Sequence, residues 1–234
     1  MSHGKNYRNA RAAFDREELY SPVQAIRLLK GFETAKFDES VEAHFNLGLN
    51  VRHAEQQLRG TLMLPHGTGR EAKVAVFAEG DKAKEAEEAG ADIVGTADLG
   101  KQIEEGFDDF DVAIATPDQM SVVGKLGRIL GPRGKMPNPK TGTVSVDIGR
   151  AVREIKAGKV EFRVDKTGII HAPVGKTSFA ADSLVANTHA LVDSIVKAKP
   201  AAAKGKYLKS VTLSSTMGPG IRIDTTHIDV VVKH

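Results

Sequence analysis

The chain has 234 residues, no cysteine and a formal net charge of +3. The missing cysteines exclude disulfides, thiolate metal sites and cysteine nucleophiles, and the length suffices for two ordinary domains with apolar cores of their own. The first eight residues are polar and basic, no apolar stretch follows them, and the apolar runs are short, so the sequence reads as soluble and cytoplasmic with no membrane segment.

Ser21-Pro22 opens a helix with Val23, Ile26, Leu28 and Leu29 on one face, Pro22 suiting its first position. Every odd position from Val41 to Val51 is apolar, which predicts a long half-buried strand with Ser40, Glu42, His44 and Asn46 on its other face. Leu64 to Gly69 carries glycine and proline and reads as a linker. Short apolar runs then alternate with helices. The strands are Val74 to Phe77, Asp92 to Val94 and Val112 to Ala115, and the helices are Asp81 to Ala89, Leu99 to Glu105 and one from Asp118. That rhythm predicts a parallel sheet with helical crossovers.

A proline- and glycine-rich loop, Gly127 to Gly142, leads to a helix over Asp147 to Ala157. Alternation returns at Val160 to Val164, with a turn at Asp165 to Gly168 and a short strand at Ile169 to His171; Pro173 to Lys176 reads as a turn. A helix bearing Leu184, Val185, Leu191, Val192, Ile195 and Val196 precedes a strand from Tyr207 to Thr216, and a last strand falls at Ile221 to Ile223 or Ile228 to Val232. The fold class is α/β (α+β). A discontinuous split β-α-β type antiparallel domain uses both chain ends, residues 1–66 and 160–234, and a Rossmann-like parallel α/β domain is inserted at residues 67–159. The chain crosses between them twice, which predicts a hinge.

The small net charge conceals a segregation. Glu79 to Asp118 holds 13 acidic and 3 basic residues, whereas Gln119 to Lys176 holds 12 basic and 4 acidic. Clustered cations suit phosphate binding, and an acidic segment should face away from it.

Enzyme motifs fail on inspection. The first strand of the insert runs into Ala78-Glu79-Gly80-Asp81, whose carboxylates would repel the pyrophosphate of a dinucleotide. Pro173-Val174-Gly175-Lys176-Thr177 imitates a phosphate loop, but Ile170 stands where its first glycine is required. The eight histidines lack metal-ligand spacing, so no metal, cofactor or catalytic residue is expected. Gly124 to Lys135 is rich in glycine and cations; it suits a phosphate cradle and suits a charged surface loop slightly better.

Along Tyr207 to Thr216, Val211 and Leu213 point one way while Ser210, Thr212, Ser214 and Thr216 point the other. Such a hydroxyl ladder can read ribose 2′-OH groups and phosphates; the same pattern also describes a merely solvated antiparallel face.

Long stretches resemble the L-one family of bacterial ribosomal proteins, which belong to the mobile stalk of the large subunit. They are Thr34 to Glu42, Gly124 to Val144, Lys156 to Gly168, His171 to Lys176 and Ser215 to Pro219, in the family's order. The resemblance implies a hinged two-domain fold that binds large-subunit rRNA, contacts other components of the subunit and helps deacylated tRNA leave the E site. It also implies repression of translation from the protein's own operon mRNA. It places rRNA contacts at Lys36, Phe37, Ser40 and Glu42, at Lys166, Thr167 and His171, and at Ser210, Thr212, Ser214, Thr216, Met217 and Gly218. Lysines suit phosphates, hydroxyls suit ribose, and Phe37 and Met217 suit exposed bases or sugars if they are not core. A valine at position 216 keeps the shape without the hydroxyl and should leave folding nearly unchanged.

Overall fold

The computed structural model describes residues 4–32 and 35–225. They fall into two compact units, one within Met1–Gly69 and Val160–His234, the other Arg70–Lys159. Each has its own apolar core, and no core cluster mixes residues of the two.

The first unit contains α1 (Lys5–Ala12), α2 (Pro22–Lys30), β1 (Ser40–Leu47) and β2 (Arg59–Met63), and after the second unit β6 (Lys159–Arg163), β7 (Ile169–Lys176), α8 (Ala181–Lys197), β8 (Leu208–Ser215) and β9 (Ile221–Ile223). The second contains β3 (Val74–Phe77), α3 (Asp81–Glu88), β4 (Ile93–Gly95), α4 (Ala97–Glu104), β5 (Val112–Ala115), α5 (Met120–Lys125), α6 (Gly127–Leu130) and α7 (Ile148–Lys156).

In the first unit an antiparallel sheet runs in the order β7-β1-β8-β9. The alternation in β1 is realised side chain by side chain: Val41, Ala43, Phe45 and Leu47 are buried and the residues between them are not. Helices α2 and α8 cover this apolar face with Ala25, Ile26, Leu29, Leu184, Leu191, Val192 and Ile195. The start of α2 is fixed by a reciprocal cap in which Ser21 Oγ accepts from the Gln24 N–H and Gln24 Oε1 accepts from the Ser21 N–H. Covering one face with helices leaves the polar face of the sheet outward.

Several sequence expectations change here. β1 ends at Leu47, not Val51: its register with β8 shifts between Asn46 and Leu47, the Gly48 N–H still donates across to Tyr207 O, and Leu49 and Val51 pack on the core beyond the strand. Pro173 to Lys176, read as a turn, continues β7. The proline is tolerated because β7 is an edge strand and its register with β1 shifts between Val41 and Glu42. The linker stretch is pinned: buried Asn187 accepts from the His66 N–H and donates to Gly67 O and Val174 O. Helix α1 and strand β2 lack a strong sequence period and went unassigned. Of the two alternatives for the last strand, Ile221–Ile223 is formed, and Ile228 to Val232 lies outside the described residues.

The second unit is a parallel sheet in the order β4-β3-β5. Every residue of β3 is buried, as a strand covered on both faces requires. Val74 and Val76 pack with α3 and α7, whereas Ala75 and Phe77 pack with α4, α5 and α6. The loop expected from Gly127 contains the helical turn of α6 and a short 3-10 turn at Pro139–Thr141, both formed locally. Among the described residues no helix is long and apolar enough to cross a membrane.

Candidate nucleic-acid interface

Cross-strand register organises the outward polar face into rows. His171 of β7, His44 of β1, Thr212 of β8 and Arg222 of β9 are successive partners across four strands. On either side lie the rows Pro173, Glu42, Ser214 and Ile169, Asn46, Ser210. The sheet therefore assembles hydroxyls, imidazoles, a carboxamide and a guanidinium from four segments onto one surface.

The middle row is coupled by hydrogen bonds. His44 Nδ1 and His171 Nδ1 are 2.8 Å apart, so one nitrogen donates and the other accepts, and His44 Nε2 lies 3.0 Å from Ser214 Oγ. Burial, with the second imidazole beside it, holds His44 below the usual histidine range and favours its neutral form. Among the described residues no group of three or more histidine, aspartate or glutamate side chains is placed to hold a metal ion.

At the Ser40 end of β1, the Ser40 N–H donates to Thr216 Oγ1 at 3.0 Å, Lys176 Nζ donates to Ser40 Oγ at 2.9 Å, and the Met217 N–H donates to Glu39 Oε2 at 2.8 Å. Glu39 is only 4% exposed, yet its carboxylate reaches the turn after β8. Asp38 accepts from the Ser178 N–H and from the Ser178 and Thr177 hydroxyls, which fixes the chain just after Lys36 and Phe37. Those bonds, led by the Ser178 hydroxyl, hold the Asp38 carboxyl below its ordinary range. Phe37 and Met217 are 57% and 54% exposed, so neither belongs to the core. They flank the Ser40–Thr216 link and present apolar surface beside polar groups. That link corrects the expectation for Thr216: a valine there also removes the partner of the Ser40 N–H, and folding should register it.

Lys166 and Thr167 lie at the other end of β1, whose eight residues span roughly 24 Å from one end to the other. The turn carrying them is built on Asp165, whose carboxylate accepts from the Thr167 N–H at 2.8 Å, the Ile169 N–H at 2.8 Å and the Thr167 hydroxyl at 2.7 Å. Gly168 closes it at φ +86°, a conformation that a residue with a Cβ rarely adopts. Lys166 is exposed on this turn; Thr167 spends its hydroxyl proton on Asp165 and offers outward only acceptor capacity.

Partial burial alone would raise the Asp165 pKa. The hydrogen bonds from Ile169 and Thr167, with His171 nearby, outweigh it and bring the value down to about 2. A carboxylate held low stabilises the fold above its unfolded value of about 4, and that contribution is lost as pH falls towards 2. Asp165→Asn is therefore expected to cost about 1 kcal/mol at pH 7, after allowance for solvent screening at a partly exposed site. The gap in urea midpoint from the wild type should narrow between about pH 4 and pH 2; a constant gap would count against the linkage.

The thirteen residues expected to contact rRNA all belong to the first unit: Ser40, Glu42, His171, Ser210, Thr212 and Ser214 on the outward side of the sheet, Thr216, Met217 and Gly218 in the turn after β8, Lys36 and Phe37 just before β1, and Lys166 and Thr167 in the turn before β7. Sequence reasoning passed over Glu39, Asp165 and Arg222. Glu39 and Asp165 act through the backbone they hold, and Arg222 joins the face only through its register with Thr212.

The basic loop of the second unit is less available than its composition suggested. Arg133 and Lys135 pair with Asp108 at 3.1 and 2.6 Å, and Lys135 also donates to Phe110 O. Lys156 pairs with Asp92, and Lys159 with Glu154. Arg133, Lys135 and Lys156 thereby meet carboxylates of the acidic segment and part of the charge segregation is neutralised, which favours the sheet face as the candidate.

Comparison with known proteins gives the family. Residues 29–219 match the model of the ribosomal protein L1p/L10e family. The chain is 61% identical over 222 residues to the large ribosomal subunit protein uL1 of Rubrobacter xylanophilus, which covers 94% of this chain and 96% of that protein. A family match over most of its length, on a chain that carries this open sheet face, means that the protein belongs to the ribosomal protein L1p/L10e family.

Proposed function

We propose that the protein is a structural constituent of the large ribosomal subunit that acts in the cytoplasm and binds the stalk rRNA through the polar face of β7, β1, β8 and β9. The observation that carries this reading is the open face itself, where register aligns His171, His44, Thr212 and Arg222 in one row. An A-form RNA minor groove is wide, shallow and lined with 2′-hydroxyls, and a flat face of donors and acceptors is its chemical complement. Lys36 and Lys166 supply phosphate contacts, Ser40, Glu42, Thr167, His171, Ser210, Thr212, Ser214 and Thr216 supply hydrogen bonds, and Phe37, Met217 and Gly218 supply close apolar approach. The RNA-binding domain comprises residues 1–66 and 160–234, and residues 67–159 form the inserted domain.

Joining residues 1–66 to 160–234 through a short linker is expected to retain most of the stalk-rRNA affinity, because the main apolar core of the first unit uses no residue of the second. Specific binding by the isolated insert, with none by the rebuilt domain, would overturn the assignment. Family membership further supports a role in release of deacylated tRNA from the E site and repression of the protein's own operon mRNA. If one surface serves both RNAs, the mRNA leader must displace rRNA in the same titration; simultaneous binding would rule out a shared site.

A further inference from the structure

The rRNA face does not stop at the residues assigned above. Beside β8 and β9 it deepens into a concavity of about 260 Å³, lined by Tyr7 and Arg11 of α1, Arg16 beyond it, Ser210 and Thr212 of β8 and Arg222 of β9. Arg11, Arg16 and Arg222 are all exposed. Arg222 approaches Glu17 at 3.7 Å, a long contact to a glutamate side chain that is 85% exposed, which leaves its guanidinium open to other acceptors.

Resting on the rRNA reading, we propose that this concavity is a phosphate-binding subsite that takes the backbone of the RNA strand as it leaves the hydroxyl rows. Three physical features favour an RNA phosphodiester. The first is charge: three arginines line one hollow, and a guanidinium fork meets two phosphate oxygens at once. The second is continuity, since Ser210 and Thr212 belong both to the hydroxyl rows and to the wall of the hollow, so a strand contacting one borders the other. The third is mixed chemistry, because hydroxyls and a tyrosine beside arginines suit a ribose joined to its phosphate. Helix α1 thereby gains a role: its last turn carries Arg11 to the rim of the sheet.

The test compares full-length wild type, Arg11→Ala/Arg16→Ala and Arg11→Lys/Arg16→Lys by titration into a labelled stalk-rRNA hairpin at several salt concentrations, with an unrelated hairpin alongside. The alanine pair is expected to bind about tenfold more weakly, with a salt slope shallower by about 1.4 to 1.8, while the lysine pair keeps the wild-type slope. Matching melting temperatures show that the fold is intact, and Ser214→Ala, in the hydroxyl rows but outside the hollow, reports that face independently. Normal affinity and slope in the alanine pair, with Ser214→Ala impaired, overturns the subsite and leaves the rRNA reading standing. A wild type that fails to prefer the stalk hairpin overturns both.

Discussion

Gly218→Val is expected to lower affinity for the stalk rRNA by about 100-fold, equivalent to roughly 2.7 kcal/mol. The glycine sits in the turn after β8, where its N–H donates to Ser215 O at 3.2 Å. A Cβ built there would lie 2.4 Å from Ser215 Oγ, a buried hydroxyl without a hydrogen-bond partner. A side chain therefore meets the protein from within before it meets RNA, and two costs must be separated. Ser215→Ala removes the internal obstacle without touching the outward surface. In Ser215→Ala/Gly218→Val, melting temperature should recover towards that of Ser215→Ala while affinity stays low. Full recovery of affinity in the double variant would mean that position 218 is not pressed against RNA.

Glu39→Ala should weaken both the fold and RNA binding although Glu39 itself faces inward. Its carboxylate receives the Met217 N–H at 2.8 Å, and the loss of this charge-assisted acceptor at a part-buried donor costs about 1 kcal/mol or more. The turn that carries Thr216, Met217 and Gly218 would lose one of its ties to the start of β1, and affinity should drop about tenfold or more. Glu39→Gln keeps an oxygen acceptor and is expected to recover much of both losses. Calorimetric melts run beside RNA titrations decide it: an alanine variant with unaltered affinity would show that the tie does not position the turn.

The two variants make the same point about this interface. Its outward groups depend on neighbouring carboxylates, since Asp165 holds the turn bearing Lys166, Asp38 holds the segment bearing Phe37, and buried Glu39 holds Met217. A binding face that must stay flat gains rigidity from anchors placed beneath and beside it.

The sequence by itself determined most of the element types, α1, β2 and the end of β7 excepted, and a layout of two units. Hydrophobic period is a local property: odd positions from Val41 to Leu47 are buried because a strand alternates its side chains, and the strand-helix rhythm after Val74 requires a parallel sheet. The same locality made the hydroxyl ladder of β8 legible, and long matched stretches pointed to the family. Tertiary structure alone decided which faces meet. The order β7-β1-β8 and its register are set by contacts between segments more than a hundred residues apart, and even for the nearby β9 no local pattern announces that Arg222 stands beside Thr212. Nor does composition reveal that Arg133 and Lys135 are bound to Asp108 while Arg11 and Arg16 line an open hollow. A cation's availability depends on which carboxylate folding brings within about 4 Å of it, and that distance exists only in three dimensions.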